Sequence, residues 1–258
     1  MMLPHLLPKD DPRFIYWKKS LKKRPPPWNK GKTRRSDPSV NKISETFKRK
    51  RIDNFAVWRQ NARNSGLIPT THKPLKKTVN LAFLIGLTLG DGNINKMART
   101  ECLRITLGTD KPELWKYAMR IIEAVFDKKP SVYKRNAANC VNITLYQQNL
   151  SRRLGIPTGA RKNLKIKLPT WIWKNKKMLI SAVSGLFEAE GYCSIHKPTY
   201  TYNMGFSNVN ISLLDDMEKA LKDLGFHPER RVNAVRLRRK NEVFEFQKII
   251  RFRKYPLI

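Results

Sequence analysis

Two acidic residues, each followed by glycine, end two apolar stretches that share one pattern. The first stretch, residues 84–92, carries Asp91, and the second, residues 183–191, carries Glu190 at the same place. If both stretches are helices packed in parallel, the carboxylates meet beside two helix C-termini, where the helix dipoles and mutual repulsion disfavour negative charge. A divalent cation would neutralise the pair, and acids that hold a metal beside a phosphate are used for phosphodiester hydrolysis.

Small residues recur at every fourth position of both stretches, which places them on one helix face. The set comprises Ala82, Gly86 and Gly90 in the first copy and Ser181, Gly185 and Ala189 in the second. Glycine inside a helix costs up to about 1 kcal/mol relative to alanine, so Gly86 and Gly185 are predicted to be packing residues that let two helices approach closely. We also expect the glycine after each acid to end its helix in the left-handed conformation. One such stretch would indicate an ordinary core helix, whereas two matched copies favour a paired site.

Both stretches resemble the signature of the LAGLIDADG homing endonucleases, in the single-chain form with two motifs. The resemblance covers roughly residues 80–258 and rests on the small residues, the acid and the final glycine. It implies a monomeric, intron-encoded, site-specific DNA endonuclease that cuts one strand with each half and leaves short 3′ overhangs. Mg²⁺ is the implied cofactor, and Ca²⁺ or Mn²⁺ is expected to substitute for binding or activity. The implied metal-binding positions are Asp91, Glu190, Gly90 and Ala189, with the two acids as catalytic residues.

The composition indicates a folded protein that binds nucleic acid. The chain has 258 residues, with 53 Lys and Arg against 20 Asp and Glu, a formal net charge of +33 and 40% hydrophobic residues. Without a long apolar segment or a signal peptide, we expect no membrane partner and an intracellular location, in the cytoplasm, nucleoid or an organelle matrix rather than secreted. The three cysteines and four histidines are scattered, so neither disulfides nor structural zinc are predicted.

The pattern predicts an α+β fold with two pseudo-symmetric αββαββ(α) halves, antiparallel saddle-shaped sheets and a central pair of packed motif helices. A mostly helical and extended basic region precedes them. The predicted domains are residues 1–78, a DNA-binding extension, then residues 79–170 and residues 171–258, the two halves.

The end of the second half is expected to differ from that of the first. Residues 231–238 and 242–249 are predicted to form a strand pair, by analogy with the second strand pair of the first half. The few residues after Ile250 leave no room for a full closing helix, whereas residues 150–154 begin one in the first half. The second half is therefore predicted to be trimmed.

The N-terminal extension combines basic residues with aromatic ones. Lys30, Lys32, Arg34 and Arg35 follow a run of three prolines and Trp28, a composition suited to contacting phosphates. The stretch from Trp28 to Glu45 is similar to the nuclease-associated modular repeat, which implies a longer contact with DNA. The alternative is a flexible solubilising tail, which the interleaved aromatic residues disfavour. Helices are predicted over residues 40–47 and 54–64.

Strands with one free face could place polar side chains in the major groove. The candidate DNA-binding residues of the first half are Asn93, Asn95, Arg104, Thr106, Lys134 and Asn142, with Thr144 on the same face. Those of the second half are Ser194, His196, Tyr202, Asn208, Arg236, Arg238 and Arg239. Charge on a strand face is usually solvation alone, but the net charge and the paired acids favour recognition of double-stranded DNA.

The resemblance also implies a basic residue near the acids that steadies the attacking water and the phosphate. Lys165 and Lys167 are the candidates by position. Many relatives carry a glutamine at the end of the second strand of each half, where this chain has Leu107 and Asn208. The competing function is an RNA splicing maturase or a non-cleaving DNA-binding protein of the same fold, and the presence of both acids favours the nuclease.

Overall fold

The computed structural model describes residues 8–50, 52, 53, 55–67, 72, 74–135 and 138–255. Its internal contacts divide the chain into two compact units, Met1–Thr70 and Thr71–Ile258. The first unit holds helices α1 (Pro12–Lys23), α2 (Pro38–Arg49) and α3 (Ala56–Asn64). Among the helices in the described residues, none is long and apolar enough to cross a membrane.

Local capping explains where the helices of the first unit begin. Asp11 and Asp37 each accept a backbone N–H of the first turn, at 2.8 Å from Arg13 and 2.9 Å from Ser39, and proline follows both acids. Helix α1 was not among the helices predicted for the extension. Neither α1 nor α2 buries a side chain within the described residues, so their stability depends on these local interactions more than on a core.

The second unit repeats one series of elements. The first half consists of α4 (Val79–Asp91), β1 (Gly92–Lys96), β2 (Glu101–Gly108), α5 (Pro112–Phe126), β3 (Ser131–Arg135), β4 (Cys140–Gln147) and α6 (Leu150–Leu154). After the short α7 (Thr170–Trp173), the second half consists of α8 (Lys176–Glu190), β5 (Gly191–His196), β6 (Thr201–Ser207), α9 (Ile211–Asp223), β7 (Glu229–Arg231), β8 (Ala234–Leu237) and α10 (Lys240–Ile249). The predicted α+β class with two antiparallel sheets is confirmed.

The two sheets have the same strand order and an equivalent register. The orders are β1-β2-β4-β3 and β5-β6-β8-β7, with every neighbouring pair antiparallel. Gly92 lies opposite Ile105 in the first sheet, and Gly191 lies opposite Phe206 in the second. Alternate residues of the central strands join one hydrophobic core that runs through both halves, which leaves the other face of each sheet open.

Two predictions about the end of the second half are wrong: the strand pair and the missing closing helix. Residues 242–249 lie in helix α10 instead of a strand, and residues 231–238 are divided between the short strands β7 and β8. Val243, Phe246 and Ile250 are spaced three and four apart and are almost completely buried, so the helical period determines this element. The second half is therefore not trimmed, because α10 closes it with 10 residues against 5 in α6.

Helices α4 and α8 pack against each other in parallel through their small residues. A methyl group at Gly86 would overlap the carbonyl oxygen of Ala182, and one at Gly185 would overlap that of Phe83 and lie 2.7 Å from the backbone nitrogen of Leu87. Every residue of α4 from 81 to 89 is buried, as expected for a helix enclosed on all sides. The structure thus brings the two backbones into direct contact at the glycines.

The glycines after the acids do not adopt the expected conformation. Gly92 has φ −95° and ψ 160°, and Gly191 has φ −87° and ψ 150°, so both backbones are extended. Each glycine begins a strand instead of a left-handed cap. Glycine is required for space, because a Cβ would lie 2.7 Å from the carbonyl oxygen of Thr88 or 2.8 Å from the Cα of Phe187.

We predict that Gly86→Ala and Gly185→Ala each destabilise the protein by about 3 kcal/mol, because backbone atoms must move to admit a methyl group. Thermal unfolding measures the effect. The matched control is Gly108→Ala, where a methyl group would meet mainly the carboxylate of the exposed Asp110, which can move aside. An unchanged midpoint for both helix variants would contradict the direct backbone contact.

Candidate active site and nucleic-acid interface

The two motif acids lie together at the same end of the helix pair. Asp91 is the last residue of α4 and Glu190 the last of α8. Near this end, Gly90 faces Ala189 so closely that a methyl group on Gly90 would overlap the Ala189 side chain, and it would lie 3.3 Å from Cγ of Glu190. The helix contact therefore continues to the acids, which are partly buried.

Both carboxyl groups are shifted toward the protonated form. Burial and the negative charge of Glu190, partly opposed by Lys111, together raise the pKa of Asp91 to about 7. Burial also raises the pKa of Glu190. The site therefore disfavours two negative charges unless a cation joins them.

Arg161 covers the C-terminal end of α4. Its Nη2 atom donates hydrogen bonds to the carbonyl oxygens of Thr88 at 3.0 Å, Leu89 at 3.4 Å and Gly92 at 2.6 Å. A cation at this end complements the helix dipole, and it adds a second hydrogen bond to the carbonyl oxygen of Thr88, which also accepts the N–H of Gly92. Burial lowers the pKa of Arg161 but leaves it charged, because its ordinary pKa is far above neutral.

The backbone of Arg161 is itself fixed by the second half. Nδ2 of Asn210 donates to the carbonyl oxygens of Arg161 and Leu164, at 2.9 Å each, while its Oδ1 accepts the N–H of Leu213 at the start of α9. Asn210 is 5% exposed. The N-terminal cap of α9 thus positions the arginine that caps α4.

Lys165 and Lys167, the candidates suggested by the sequence, lie further along the same segment. Both are exposed and line a groove beside the start of α9, with Lys162 and Asp215 among its other residues. The chain here is held by hydrogen bonds from the Ile166 N–H to Ser212 and from the Leu168 N–H to Asp216, at 2.9 and 2.6 Å. No contact of either lysine with Asp91 or Glu190 is found in the described part of the chain.

The donor atoms at the helix ends fit a hard divalent cation. Carboxylate and carbonyl oxygens are the ligands that Mg²⁺ and Ca²⁺ prefer, and Mg²⁺ commonly takes one or two carboxylates together with water and phosphate oxygens. Asp91 and Glu190 would supply the carboxylates, and Gly90 and Ala189, the residues before them, would supply backbone carbonyl groups. No cluster of three or more acidic, histidine or cysteine side chains suited to a metal occurs among the described residues. Water and substrate would therefore complete the coordination.

Most predicted contacts of the first half do lie on the open face of its sheet. Register places Asn93 opposite Arg104, and Thr106 opposite Asn142, with a hydrogen bond of 2.8 Å between the last two side chains. Asn95 and Thr144 share this face, and Tyr133, which was not predicted, joins it opposite Asn142.

The placement of Lys134 on the open face is wrong. Lys134 lies opposite Val141, whose side chain points into the core, so the lysine belongs to the helix side of the sheet. It is nevertheless exposed, because β3 is an edge strand. The error arises because a short edge strand carries too little alternation to reveal which face is buried.

The open face of the second sheet carries only some of the side chains that were predicted for it. Ser194, His196 and Arg236 lie there, with Tyr192 beside them opposite Gly205. Tyr202 was predicted for this face, but its ring packs edge-on against Phe244 at 5.5 Å on the core side.

Three further candidates lie beyond the strand ends. Arg238 follows β8 and has a nitrogen 3.8 Å from a carboxylate oxygen of Glu229. Arg239 is the N-cap residue of α10 and binds Glu242 at 3.1 Å, so it is not a face residue as predicted. Asn208 follows β6, and its side-chain oxygen accepts the N–H of Asn210 at 2.8 Å. Asn208 therefore supports the turn that leads into α9.

The basic residues predicted for the N-terminal extension are exposed within the first unit. Lys30, Lys32, Arg34 and Arg35 all lie between α1 and α2. The ammonium group of Lys32 lies 5.3 Å from the centre of the Trp28 ring and 3.0 Å from a carboxylate oxygen of Asp37. The tryptophan and the cap of α2 thus order part of this basic segment.

No family model matches the chain, and no curated protein matches it. Several solved structures are similar. Mesophilic variants of the homing endonuclease I-DmoI are 17% identical with a TM-score of 0.49, over 68% of this chain and 97% of that chain. I-DmoI in complex with DNA and Mn is 16% identical with a TM-score of 0.49, over the same shares. The N-terminal LAGLIDADG domain of DUF199/WhiA is 16% identical with a TM-score of 0.45, over 71% of this chain and 86% of that chain.

Sequence reasoning missed two cations near the acids, Arg161 and Lys111. Arg161 belongs to the basic segment that supplied Lys165 and Lys167, and its planar guanidinium group, with several donors, suits a cluster of carbonyl oxygens better than a lysine does. Lys111 follows the turn after β2, and its charge acts on Asp91. The only sequence signal for Lys111 was its position shortly after Gly108, because glycine favours turns.

The raised pKa of Asp91 predicts a pH-dependent stability in the absence of metal. Its pKa is about 7 when folded and about 3.9 when unfolded, so its contribution to stability is fully present below pH ~4 and is lost as pH rises through ~7. In chelator, the thermal midpoint of the wild type should fall more steeply than that of Asp91→Asn between pH ~5 and ~8.

The control for this comparison is Glu123→Gln, which alters an exposed acid on α5. It should keep the slope of the wild type. Parallel curves for the wild type and Asp91→Asn would contradict the raised pKa.

Proposed function

We propose that this protein is a site-specific DNA endonuclease that hydrolyses one phosphodiester bond in each strand with a divalent metal and leaves short 3′ overhangs. The observation that carries the proposal is the pair of partly buried acids, Asp91 and Glu190, at the adjoining ends of two parallel helices. Its family resemblance is to the LAGLIDADG homing endonucleases with two motifs. DNA is the proposed partner, and a monomer is the proposed form, since one chain supplies both motifs.

The chain's own groups support this chemistry. Asp91 and Glu190 would hold Mg²⁺, which, when bound, activates water and stabilises the charge that develops on the phosphate. Without a bound metal, burial favours the protonated form of Asp91 near neutral pH. Binding of a cation to Asp91 should therefore release a proton. Lys111 adds a positive charge on the Asp91 side of the site.

Arg161 is the better candidate for a phosphate contact than Lys165 or Lys167. Its Nη2 atom is occupied by the carbonyl oxygens of α4, but its Nη1 atom is buried and has no hydrogen-bond partner among the described residues. A buried donor without a partner is costly, and a phosphate oxygen would satisfy it. Lys165 and Lys167 are proposed to contact phosphates outside the site of cleavage.

The two open sheet faces are the proposed surface for reading DNA. They carry amide, hydroxyl and guanidinium groups, which can bind base edges in the major groove. Oδ1 of Asn93, Oδ1 of Asn203 and Nε of Arg236 are buried on this side without a partner among the described residues. Base edges or ordered water would supply the missing partners.

We predict that Asp91→Asn and Glu190→Gln each abolish double-strand cleavage in Mg²⁺ and leave specific binding in Ca²⁺ within about threefold. The substrate is a target selected from a randomised DNA library, because the chain does not reveal the sequence. Cleavage of a plasmid that carries this target, with binding measured in parallel, tests the prediction.

The exposed acid variant Glu123→Gln should cut at the wild-type rate. If either active-site variant still cut both strands at that rate, the assignment of the acids would be wrong.

For the first unit we propose a contribution to DNA affinity without a catalytic role. We predict that Lys30, Lys32, Arg34 and Arg35, changed together to Gln, lower the slope of log affinity against log salt by up to about 0.9 for each phosphate that the variant no longer neutralises. At low salt and saturating protein, the variant should cut the same bonds.

The control changes Lys219 and Lys222 to Gln, because both lysines are paired with acids on α9. An unchanged slope for the first-unit variant would indicate a solubilising segment instead.

A DNA-binding protein that does not cleave, or an RNA splicing maturase, is the second candidate. Arg161 already places a cation on the carbonyl end of α4, so this helix end is supported without a metal. Specific DNA binding with no cleavage in Mg²⁺ or Mn²⁺ would favour the first of these, and preferential binding of structured RNA would favour the second.

A further inference from the structure

The chain bends sharply after α10, in a segment that we call the C-terminal clasp, residues 250–255. Arg251 and Arg253 have left-handed backbones, with φ of 51° and 59°. Between them, Phe252 is only 5% exposed. Residues other than glycine are uncommon in this region and persist there when surrounding contacts fix them. The shape of the clasp therefore indicates a segment held firmly in place.

Helix α8 supplies the contacts that hold the clasp. The hydroxyl of Ser184 donates to the carbonyl oxygen of Ile250 at 2.8 Å. One turn later, the two carboxylate oxygens of Glu188 accept the N–H of Arg253 and the hydroxyl of Tyr255, at 2.6 Å each. Ser184 and Glu188 share one face of α8, while Gly185 and Ala189 on a neighbouring face contact α4.

The far side of the clasp contacts the first half. The ring of Tyr255 lies 5.5 Å from that of Tyr117 in α5, and Tyr117 meets Phe83 of α4 edge-on at 5.2 Å. A row of three aromatic rings thus joins the clasp through α5 to the motif helix α4. Such ring pairs have defined geometry and add stability beyond the area that they bury.

Glu188 is a buried acid that the proposed chemistry does not use. It is 3% exposed and lies two residues before Glu190. The clasp satisfies both of its oxygens, and loss of a partner from a buried carboxylate is costly.

The two motif helices are supported differently at their ends. Arg161 binds the last carbonyl groups of α4, whereas no side chain donates to the last carbonyl groups of α8 in the described part of the chain. We propose that the C-terminal clasp takes this role for α8, so that Tyr255 and Glu188 act as positioning residues that set Glu190 opposite Asp91. This inference rests on the proposed function.

The test uses the full chain with Tyr255→Phe and Glu188→Gln. On a supercoiled plasmid with the selected target, we expect one strand to be nicked about tenfold more slowly and the other within about twofold of the wild type, because the clasp holds only one of the two acids. Binding in Ca²⁺ should stay within about threefold. Tyr117→Phe, which removes a hydroxyl from the next ring and keeps the hydrogen bonds of Glu188, is the matched control and should cut normally.

Amide hydrogen exchange provides a readout that does not depend on cleavage. In Tyr255→Phe, amides 188–191 should exchange faster while amides 89–92, at the end held by Arg161, keep the wild-type rate. Unchanged exchange at 188–191 would overturn the inference, and so would an equal loss of nicking on both strands, which indicates general destabilisation. If the wild type cuts no DNA, the proposed function fails, and the exchange data alone then decide whether the clasp orders the end of α8.

Discussion

The backbone contact between α4 and α8 determines the rest of the second unit. Gly86 and Gly185 place each helix against carbonyl groups of the other, with no space for a side chain. Because the helices run in parallel, this contact also brings their C-termini together, and with them Asp91 and Glu190. The same geometry that builds the core therefore gathers negative charge at one place, where the helix dipoles and burial both disfavour it.

Different groups stabilise the two helix ends that carry this unfavourable negative charge. Near α4, Arg161 binds the carbonyl oxygens and Lys111 offsets the charge of Asp91. At α8, the clasp supplies hydrogen bonds to Glu188, on which the positive charges of Arg253 and Lys111 also act.

Much of the second unit was predictable because its elements follow simple periods. The paired motif helices and the two antiparallel sheets were expected from the matched stretches and the strand patterns, but α4 begins at Val79 and α8 at Lys176, several residues before the stretches 84–92 and 183–191. The prediction of a strand over residues 242–249 was wrong. It followed the order of elements in the first half, whereas the spacing of Val243 and Phe246 is that of a helix. Arg161 and Glu188 could not be assigned from sequence, because only the fold brings their partners close: backbone carbonyl groups for Arg161, and the N–H of Arg253 and the hydroxyl of Tyr255 for Glu188. The backbone conformation of Gly92 could not be predicted from the sequence either. Glycine is needed there because a Cβ would clash with Thr88, and not because the turn is left-handed.

The register of the sheets separates the proposed recognition surface from the proposed catalytic acids. Gly92 and Gly191 begin their first strands at equivalent positions, so the open faces start directly beside the acids. The buried faces of the same strands pack into the core that surrounds the helix pair. A substitution on an open face, such as one at Arg104 or Arg236, therefore changes a proposed DNA contact while the core side chains of that strand stay in place. The acids depend on the core, and the proposed sequence preference depends on the other face of the same strands.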